Sequence, residues 1–517
     1  MAVEARKDSA LKRELGLLQL TALGVGAIIG AGIFVAPAAV ASLAGPYGVI
    51  SWIIGGVAMT MIALFYAELG SLKPTTAGFY VYSRETTGDF VGFMSGWGTF
   101  LSYVTTVPIE LFTIMLYLAS FVPGLTSHAN VPVFGHVSVF SAFGLGVSLT
   151  LLWLLTLMNL VGVKYGGWYA TATTGLKLAA LFSFVGAGIL LIRPANYSFL
   201  IPPSGAGSGI LLGVSATVFS YMGFRQPGDV GGEAKNPSRN VPLATLLSMA
   251  IATAIYIAVG LVFTGMVNWS ALGLSPGSWG GLPSDYTLAQ VARADGAWLL
   301  ASVITAGIVV SALGTAGVFT LTTSRIPYQM SEGGLFSKVH GRFATPYVSL
   351  IVVALFQTFL MTFSMGYWGL YYVSAISGVA SYGISGPLPA AIYRAKGQRG
   401  GFSVPFASVL APLAFVLSSL LIYWSGWPYT GYGLGFLVTG VISYAFVRRK
   451  SGLRGISKGL AKGYWYLVYL GGVLMLSYLG PSAFNGLNCI RFPYDEVFVF
   501  AFSLAVYFLA YIQNSRV

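Results

Sequence analysis

The chain has 517 residues, of which 56% are hydrophobic and only 8% are charged, and its mean hydropathy is +0.79. This composition excludes an ordinary soluble protein, in which about a quarter of the residues would be charged. The single cysteine, Cys489, excludes an intramolecular disulfide and a cysteine-rich metal site.

A polar N-terminal stretch, residues 1–15, precedes the apolar part of the chain and lacks the pattern of a cleaved signal peptide. Fourteen apolar segments follow, about 18 to 30 residues long and without alternation of apolar and polar residues, as expected for helices that cross a bilayer. Helices satisfy every backbone polar group internally in lipid, so the predicted fold is all-α and transmembrane. The predicted segments are 16–43, 47–72, 90–122, 137–160, 168–192, 208–232, 241–266, 297–331, 347–364, 368–392, 404–424, 430–448, 464–480 and 496–513.

The basic residues predict the orientation of these helices. If residues 1–15 lie in the cytoplasm, 23 of the 27 Lys and Arg residues fall on the inner side and Lys177 falls within a segment. The remaining three, Arg193, Arg293 and Arg491, fall on the outer side. Because cytoplasmic loops are enriched in Lys and Arg, both termini are expected to be cytoplasmic, and the expected location is the plasma membrane. The same asymmetry explains the net charge of +13 without a nucleic-acid partner.

The first segment contains a cluster of glycines. Four of the nine residues from 24 to 32 are glycine, and each costs a continuous helix roughly 1 kcal/mol relative to alanine. Small residues also let membrane helices pack closely, so the cluster by itself fits either a close helix contact or a broken helix.

The sixth segment favours the broken helix. Residues 219–229 place Gly223, Pro227 and two charges, Arg225 and Asp229, inside a run of membrane length. The first and sixth segments cross in opposite directions, and interrupted helices in corresponding positions of two halves indicate an inverted-repeat transporter. Free N–H groups at half-helix N-termini suit a carboxylate, and free carbonyl groups suit an ammonium, so the two breaks predict an amino acid as the substrate.

Several motifs resemble those of the amino acid–polyamine–organocation superfamily. Residues 26–34 resemble its signature in the first helix, and residues 232–242 resemble its diagnostic loop after the sixth helix. Further matches lie at 66–70 with 74–80, at Asn159 with Gly162, and at 323–325. The chain departs from the usual motifs at Ala77, where a glycine is common, and at 331–333, where Ser-Glu-Gly replaces Arg-Asp-Gly.

The resemblance implies an overall architecture. It implies a five-plus-five inverted-repeat core, with repeats at 16–192 and 208–394, broken helices 1 and 6, and peripheral helices 11–14 at 404–513. A length of about 14 helices resembles a subgroup that includes proton-coupled acidic amino acid symporters.

The resemblance also implies a substrate site made mainly of backbone around Gly30. By position, the substrate carboxylate would meet the amides of Ala31 and Gly32, and Phe219 would cover the substrate as an aromatic gate. The substrate ammonium would meet the carbonyl oxygens of Ile28, Phe219, Ser220 and Met222.

Lys177 lies near the middle of the fifth segment, about ten residues from its nearer end, which is far for an ammonium that must reach an interface. In related transporters a lysine here stands where sodium-coupled relatives bind a cation. Its expected neighbours are carbonyls between Gly26 and Ile29 and a hydroxyl of the eighth segment, Thr315. We predict a proton-linked or purely conformational role with no metal ion, because a desolvated ammonium can replace a cation among oxygens and can release its proton.

Two glutamates are further candidates. Glu110, in the outer half of the third segment, is either a proton carrier or a protonated, hydrogen-bonded structural group. Glu68, near the inner end of the second segment, lies in a motif that implies an inner gate pair, with a solvated helix end as the alternative.

Arg225 opens the second half of the sixth segment. It could pair locally with Asp229, four residues further on, or it could face the substrate. A guanidinium that faces the substrate would favour a side-chain carboxylate through bidentate hydrogen bonds and would repel cationic amino acids. If Arg225 faces the substrate, it indicates acidic amino acids as the cargo.

Taken together, these features predict a secondary transporter for an amino acid, driven by protons in symport, working by alternating access and needing no cofactor. An exchanger and a nutrient sensor with the same fold remain alternatives. An integral membrane enzyme is disfavoured, because the sequence has no H-E-x-x-H motif and no nucleophile motif.

Overall fold

The computed structural model describes residues 15–75, 77–131, 135–161, 166–198, 206–331, 336, 338–341, 345–363 and 366–515. Most of the N-terminal stretch 1–15 lies outside the described residues. The same holds for four residues of the family motifs, Thr76, Gly162, Glu332 and Gly333.

Every one of the fourteen predicted segments contains helix in the described part of the chain. In chain order the helices are α1 (Leu17–Ile28), α2 (Ala31–Ala44), α3 (Gly48–Leu72), α4 (Gly78–Thr87), α5 (Asp89–Leu118), α6 (Ala142–Val161), α7 (Gly166–Gly188), α8 (Ala206–Val218), α9 (Gln226–Asp229), α10 (Pro237–Met266), α11 (Leu288–Ala294), α12 (Trp298–Met330), α13 (Tyr347–Thr362), α14 (Gly366–Ser385), α15 (Pro387–Ala395), α16 (Ala407–Tyr423), α17 (Tyr429–Val447), α18 (Gly452–Leu479) and α19 (Tyr494–Ser515).

The lengths of these helices fit a bilayer. Among the described residues, nine helical stretches are long and apolar enough to cross a membrane, and α1, α13 and α16 are shorter apolar helices. The all-α, multi-pass membrane fold predicted from composition is thereby confirmed, whereas the number of about 14 crossings stays a prediction.

Three elements were not predicted. A hairpin of β1 (Thr126–Val131) and β2 (Gly135–Phe140) pairs antiparallel, and the short helices α4 and α11 lie in polar connections. The predicted start of the fourth segment at 137 was wrong, since residues 137–140 belong to β2 and α6 begins at Ala142. Hydropathy could not separate the two elements because the apolar residues of β2 run directly into those of the helix.

The first predicted break is confirmed. α1 ends at Ile28, Ile29 and Gly30 have non-helical backbone angles, and α2 begins at Ala31. A Cβ added at Gly30 would lie 2.3 Å from Oε1 of Glu110, so the absence of a side chain lets α5 approach the broken backbone.

The second break, in the sixth segment, is also confirmed. α8 ends at Val218, a 3-10 turn covers Phe219–Tyr221, and Met222 is extended. Gly223 has φ of +106°, and a Cβ at this position would lie 2.6 Å from the carbonyl carbon of Ala27. Glycine is therefore required both by the backbone angle and by the contact with α1.

The two breaks lie between two groups of packed helices. α10 packs against α1 and α3, whereas α5 packs against α12 and α14, and α7 packs against α12. Apolar side chains on the outside of α7, such as Leu176 and Phe182, are exposed, as expected for a surface that faces lipid.

Candidate functional site

Tyr256 of α10 joins the two breaks. Its buried hydroxyl lies 2.8 Å from the carbonyl oxygen of Ile28 and 2.8 Å from that of Ser220. Both carbonyls lie where their helices are interrupted, so a single side chain partners backbone groups that the interruptions leave without intrahelical donors. The sequence analysis missed Tyr256, because a lone tyrosine in an apolar helix carries no signal of this contact.

Glu110 of α5 binds the start of the second half of the first segment. The backbone N–H of Ala31 lies 3.0 Å from both carboxylate oxygens of Glu110, and the glutamate is buried. The N-terminus of α2 offers N–H groups without intrahelical partners and the positive end of the helix dipole, which suits an anion. The amide of Ala31, predicted to hold the substrate carboxylate, is thus bound by a carboxylate of the protein itself.

Lys177 of α7 binds the other side of the same break. Its ammonium donates to the carbonyl oxygens of Gly26 at 2.8 Å and Ile29 at 2.7 Å, and to Oγ1 of Thr315 at 3.2 Å. These are the neighbours that the sequence predicted. Ser311, which the prediction did not include, donates to the same carbonyl of Ile29 at 3.2 Å. Lys177 is 1% exposed, so these oxygens replace the water that would otherwise hydrate its charge.

A small cavity lies between the breaks. Its volume of about 10 Å³ holds about one water molecule, which is too little for an amino acid, so substrate binding requires side chains or half-helices to move. Phe219 lies against it and packs on Tyr371, with 5.3 Å between the ring centroids. The residues that line the cavity are Ala27, Ile28, Gly30, Gly32, Thr106, Glu110, Phe219, Met222, Thr315 and Phe319.

Three of the lining residues were not predicted: Ala27, Thr106 and Phe319. Thr106 lies four residues before Glu110 on α5, so helical spacing places both side chains on one face. That spacing would have been a usable signal. The other two are apolar residues in long apolar helices and have no distinguishing pattern.

Arg225 lies apart from this cavity. Its side chain is 2% exposed, and its Nη1 donates to Oγ1 of Thr99 at 3.2 Å. Arg225 is not among the described residues that line the cavity. The local pairing with Asp229 is not formed within the described part of the chain. Asp229 instead accepts a hydrogen bond of 2.8 Å from the hydroxyl of Tyr103.

Glu68 forms a buried ion pair. Arg394 donates to its two oxygens through Nε at 2.5 Å and Nη2 at 2.6 Å, and the N–H of Val404 donates at 3.0 Å. Glu68 is 2% exposed, so the alternative of a solvated helix end was wrong. The pair ties α3 to α15 and to the residues before α16.

A second ion pair, at the predicted inner side, was not expected from the sequence. Arg325 near the end of α12 donates to Glu233 at 3.1 Å, and both residues belong to motifs that the sequence analysis singled out. This contact joins the loop after the second break to the end of α12. Opposite charges at the inner ends of two segments were the available signal.

Outside the membrane-spanning segments, Arg193 forms an ion pair with Asp295. Asp295 accepts from Nη1 at 3.0 Å and from Nη2 at 2.5 Å, and Asn268 donates to the same carboxylate at 2.9 Å. These hydrogen bonds to Asp295 raise the pKa of Arg193. The contact joins the residues after α7 to the residues before α12 at their predicted outer ends.

Comparisons with known proteins identify the family of the chain. A family model described as amino acid permease matches residues 15–442. The chain is 30% identical over 516 residues to the glutamate/serine transporter AimA of Bacillus subtilis, with 96% of this chain and 93% of that protein covered. It is 29% identical over 521 residues to the aspartate-proton symporter of the same organism, with 98% and 97% covered. It is 30% identical over 448 residues to the serine/threonine exchanger SteT, also of that organism, with 80% and 93% covered. The chain therefore belongs to the amino acid permease family of the amino acid–polyamine–organocation superfamily, and it is a transporter rather than an enzyme.

Proposed function

We propose that this permease is a proton-coupled symporter that carries acidic amino acids across the plasma membrane by alternating access. The repeats at 16–192 and 208–394 would form the moving core, helices at 404–513 would be peripheral, and both termini would be cytoplasmic. The observation that carries the proposal is the pair of buried charges, Glu110 and Lys177, bound to opposite sides of one helix break. Two relatives that align over nearly the whole chain are named for glutamate and serine and for aspartate with protons, and the acidic substrate common to both supports the choice of cargo. The second name supports proton coupling.

Glu110 supplies a direct link between a proton and the substrate. As an anion, it accepts the N–H of Ala31 and occupies the N-terminus of α2, where the substrate carboxylate would bind. A proton on Glu110 removes the charge and weakens this hydrogen bond, which frees the amide. The substrate carboxylate then binds the N–H groups of Ala31 and Gly32 beside Gly30.

The opposite end of the substrate would bind carbonyl groups at both breaks, those of Ile28, Phe219, Ser220 and Met222. Two of these, Ile28 and Ser220, already accept the hydroxyl of Tyr256. A carbonyl oxygen has two lone pairs, so Ser220 can accept an ammonium donor as well, whereas Ile28 also accepts the N–H of Gly30 at 3.0 Å and must release one donor first. Phe219 would close over the bound substrate.

Lys177 would couple the state of the break to the scaffold. Its ammonium bridges the carbonyls of Gly26 and Ile29 to the hydroxyl of Thr315 on α12. A change in its protonation, or its release when α1 tilts, would remove donors from these carbonyls and favour a different position of the half-helix. Glu68 with Arg394 would stabilise the closed inner side as a gate pair.

Uptake into proteoliposomes tests the proposal. We expect labelled aspartate to accumulate in empty vesicles when the outside is more acidic than the inside, and to equilibrate without accumulation when the pH gradient is dissipated. Exchange is the second candidate function, favoured by the similarity to a serine/threonine exchanger. Uptake that occurs only into vesicles loaded with amino acid would overturn symport and establish exchange.

A further inference from the structure

Two rows of buried hydroxyl side chains face each other between α5 and α14. On each helix the residues recur every three or four positions, so each row lies on one face. The row on α5 consists of Ser95, Thr99, Ser102 and Thr106, and the row on α14 consists of Ser374, Ser377, Ser381 and Ser385. We call these eight residues the hydroxyl seam.

The rows are in contact along their length. Oγ1 of Thr99 lies 2.9 Å from Oγ of Ser381, and Ser381 donates to the carbonyl oxygen of Ser95 at 2.9 Å. One turn nearer the cavity, Ser374 donates to the carbonyl oxygen of Ser102 at 2.9 Å. Hydroxyl rows of this kind serve helix packing in many membrane proteins, so the seam alone does not indicate a ligand.

Arg225 lies against the seam at a defined level. It binds Thr99, which is seven residues before the cavity residue Thr106, and seven residues of helix rise about 10 Å. By the predicted orientation, this level is on the cytoplasmic side of the cavity. The distance is too long for the side chain of aspartate or glutamate to reach from a backbone held at the helix breaks.

The surroundings of Arg225 are mostly aromatic. Its guanidinium carbon lies between 4.8 and 5.6 Å from the centroids of four rings, which stabilise the cation by their π faces. These rings belong to Tyr66, Phe79, Tyr103 and Tyr382. Such faces do not supply in-plane hydrogen-bond acceptors, and both Nε and Nη2 lack a hydrogen-bond partner among the described residues.

The same pair of atoms binds carboxylates elsewhere in this chain. Arg394 uses Nε and Nη2 to bind Glu68, and Arg448 uses Nε and Nη2 to bind Asp89. This edge of the guanidinium matches the two oxygens of a carboxylate. In Arg225 the edge is buried and open, a situation that costs free energy unless an acceptor arrives.

Arg225 shares two of its aromatic neighbours, Phe79 and Tyr103, with a second cavity of about 10 Å³. This cavity is also lined by Asp229 and by Arg325, which lies at the predicted cytoplasmic end of its segment. The other charges at this level are engaged, since Tyr103 donates to Asp229 and Glu233 pairs with Arg325.

We propose that the Nε–Nη2 edge of Arg225 is a second carboxylate-binding site, which takes the side-chain carboxylate of an acidic amino acid after it leaves the central cavity toward the cytoplasm. This inference rests on the proposed function and adds a separate site to it. The central site recognises the backbone groups common to all amino acids, and Arg225 selects by side chain during release.

The substitution Arg225→Met tests the site in proteoliposomes, with Arg449→Met as the matched control. Arg449 lies 4.7 Å from the ring centroid of Phe446 but is exposed and far from the seam in sequence and contacts. We expect R225M to lower the maximal rate of aspartate uptake about tenfold or more, with the outer-face KM within about twofold and a much smaller fall for serine. R449M should transport like the wild type.

Two results with R225M would overturn the proposal. Equal losses for aspartate and serine would mean that Arg225 only supports the fold or the closure of the pathway. A large rise in the outer-face KM for aspartate, with the maximal rate maintained, would place Arg225 in the central site. If R225M does not fold, Thr99→Val and Arg225→Lys are the next variants, and the wild type itself provides an independent measurement.

That measurement compares aspartate with asparagine in right-side-out and inside-out vesicles that contain the wild-type protein. The preference for the charged substrate should be about tenfold greater at the cytoplasmic face, where Arg225 is met first. Equal preferences at both faces would overturn the proposal. Uptake of neutral amino acids without any acidic one would also overturn it, while loss of pH dependence alone would reject proton coupling and leave the Arg225 site standing.

Discussion

Lys177 and Arg225 are two cations buried to the same degree, 1% and 2% exposed, in the same apolar interior, yet their surroundings differ. The ammonium of Lys177 is surrounded by two carbonyl oxygens and a hydroxyl, all within 3.2 Å. The guanidinium of Arg225 has one hydroxyl and four aromatic rings, and two of its nitrogens have no partner among the described residues. A buried charge whose hydrogen bonds are all made within the protein holds the structure around it, whereas a buried charge with unpaired donors suits a ligand.

The largest effect is expected for Lys177→Ala. Removal of the ammonium takes the charged donor from the carbonyls of Gly26 and Ile29, which keep only the hydroxyls of Thr315 and Ser311. Each charge-assisted hydrogen bond that is lost contributes about 1.5–3 kcal/mol. We expect proton-driven aspartate uptake to fall roughly 100-fold, measured in proteoliposomes at two external pH values. The exposed Lys458→Ala is the control. If uptake by K177A still depends on pH, Lys177 has no part in coupling.

Glu110→Gln should separate coupling from substrate binding. The amide oxygen can still accept the N–H of Ala31, but the side chain can no longer gain or lose a proton. We expect accumulation driven by a pH gradient to be lost, with counterflow between equal pools of aspartate reduced by no more than about tenfold. Accumulation at the wild-type level in E110Q would assign the proton to another group.

Tyr256→Phe should weaken the join between the breaks without touching a charge. The one hydroxyl proton that the carbonyls of Ile28 and Ser220 share would be lost, at about 1 kcal/mol, while ring packing is kept. We expect a lower melting temperature of the purified protein and uptake reduced severalfold. Tyr221→Phe, at a neighbouring ring, removes a hydroxyl that binds Trp52 instead and serves as the comparison. Equal effects of the two variants would mean that the bridge itself is unimportant.

The smallest effect is expected for Asp295→Asn, which leaves Arg193 without its carboxylate partner. The side chain of Arg193 is 39% exposed, so water replaces much of what it loses, whereas the side chain of Asp295 is only 3% exposed. An ion pair with one solvated partner contributes roughly 1 kcal/mol. Thermal unfolding in low and high salt measures this, and salt should lower the wild-type melting temperature toward that of the variant. Aspartate uptake that falls as far in D295N as in K177A would contradict the distinction between buried and exposed cations.

The membrane fold could be read from the sequence because its signals are local. Helix lengths, the glycines of the first break and the Gly and Pro residues of the second each act on their own stretch of backbone. The contacts of Lys177 were predicted from its depth together with the family resemblance, which implies a lysine at the place of a bound cation. The β1–β2 hairpin was missed because its apolar residues merge with those of the following helix in any hydropathy profile.

The contacts that form the site join residues far apart in the sequence, and sequence patterns did not predict them. The approach of Glu110 to Ala31, 79 positions away, and of Tyr256 to Ile28, 228 positions away, depends on how helices pack, which apolar composition leaves open. The sequence by itself determined that the chain crosses a membrane and where two of its helices break. It also singled out Lys177, Glu110 and Arg225 as charges at membrane depth, while it left the burial of Glu68 open. Only the tertiary structure decided which charge is fully paired and which is not, because hydrogen-bond partners in a membrane core come from neighbouring helices, and their register is set by packing.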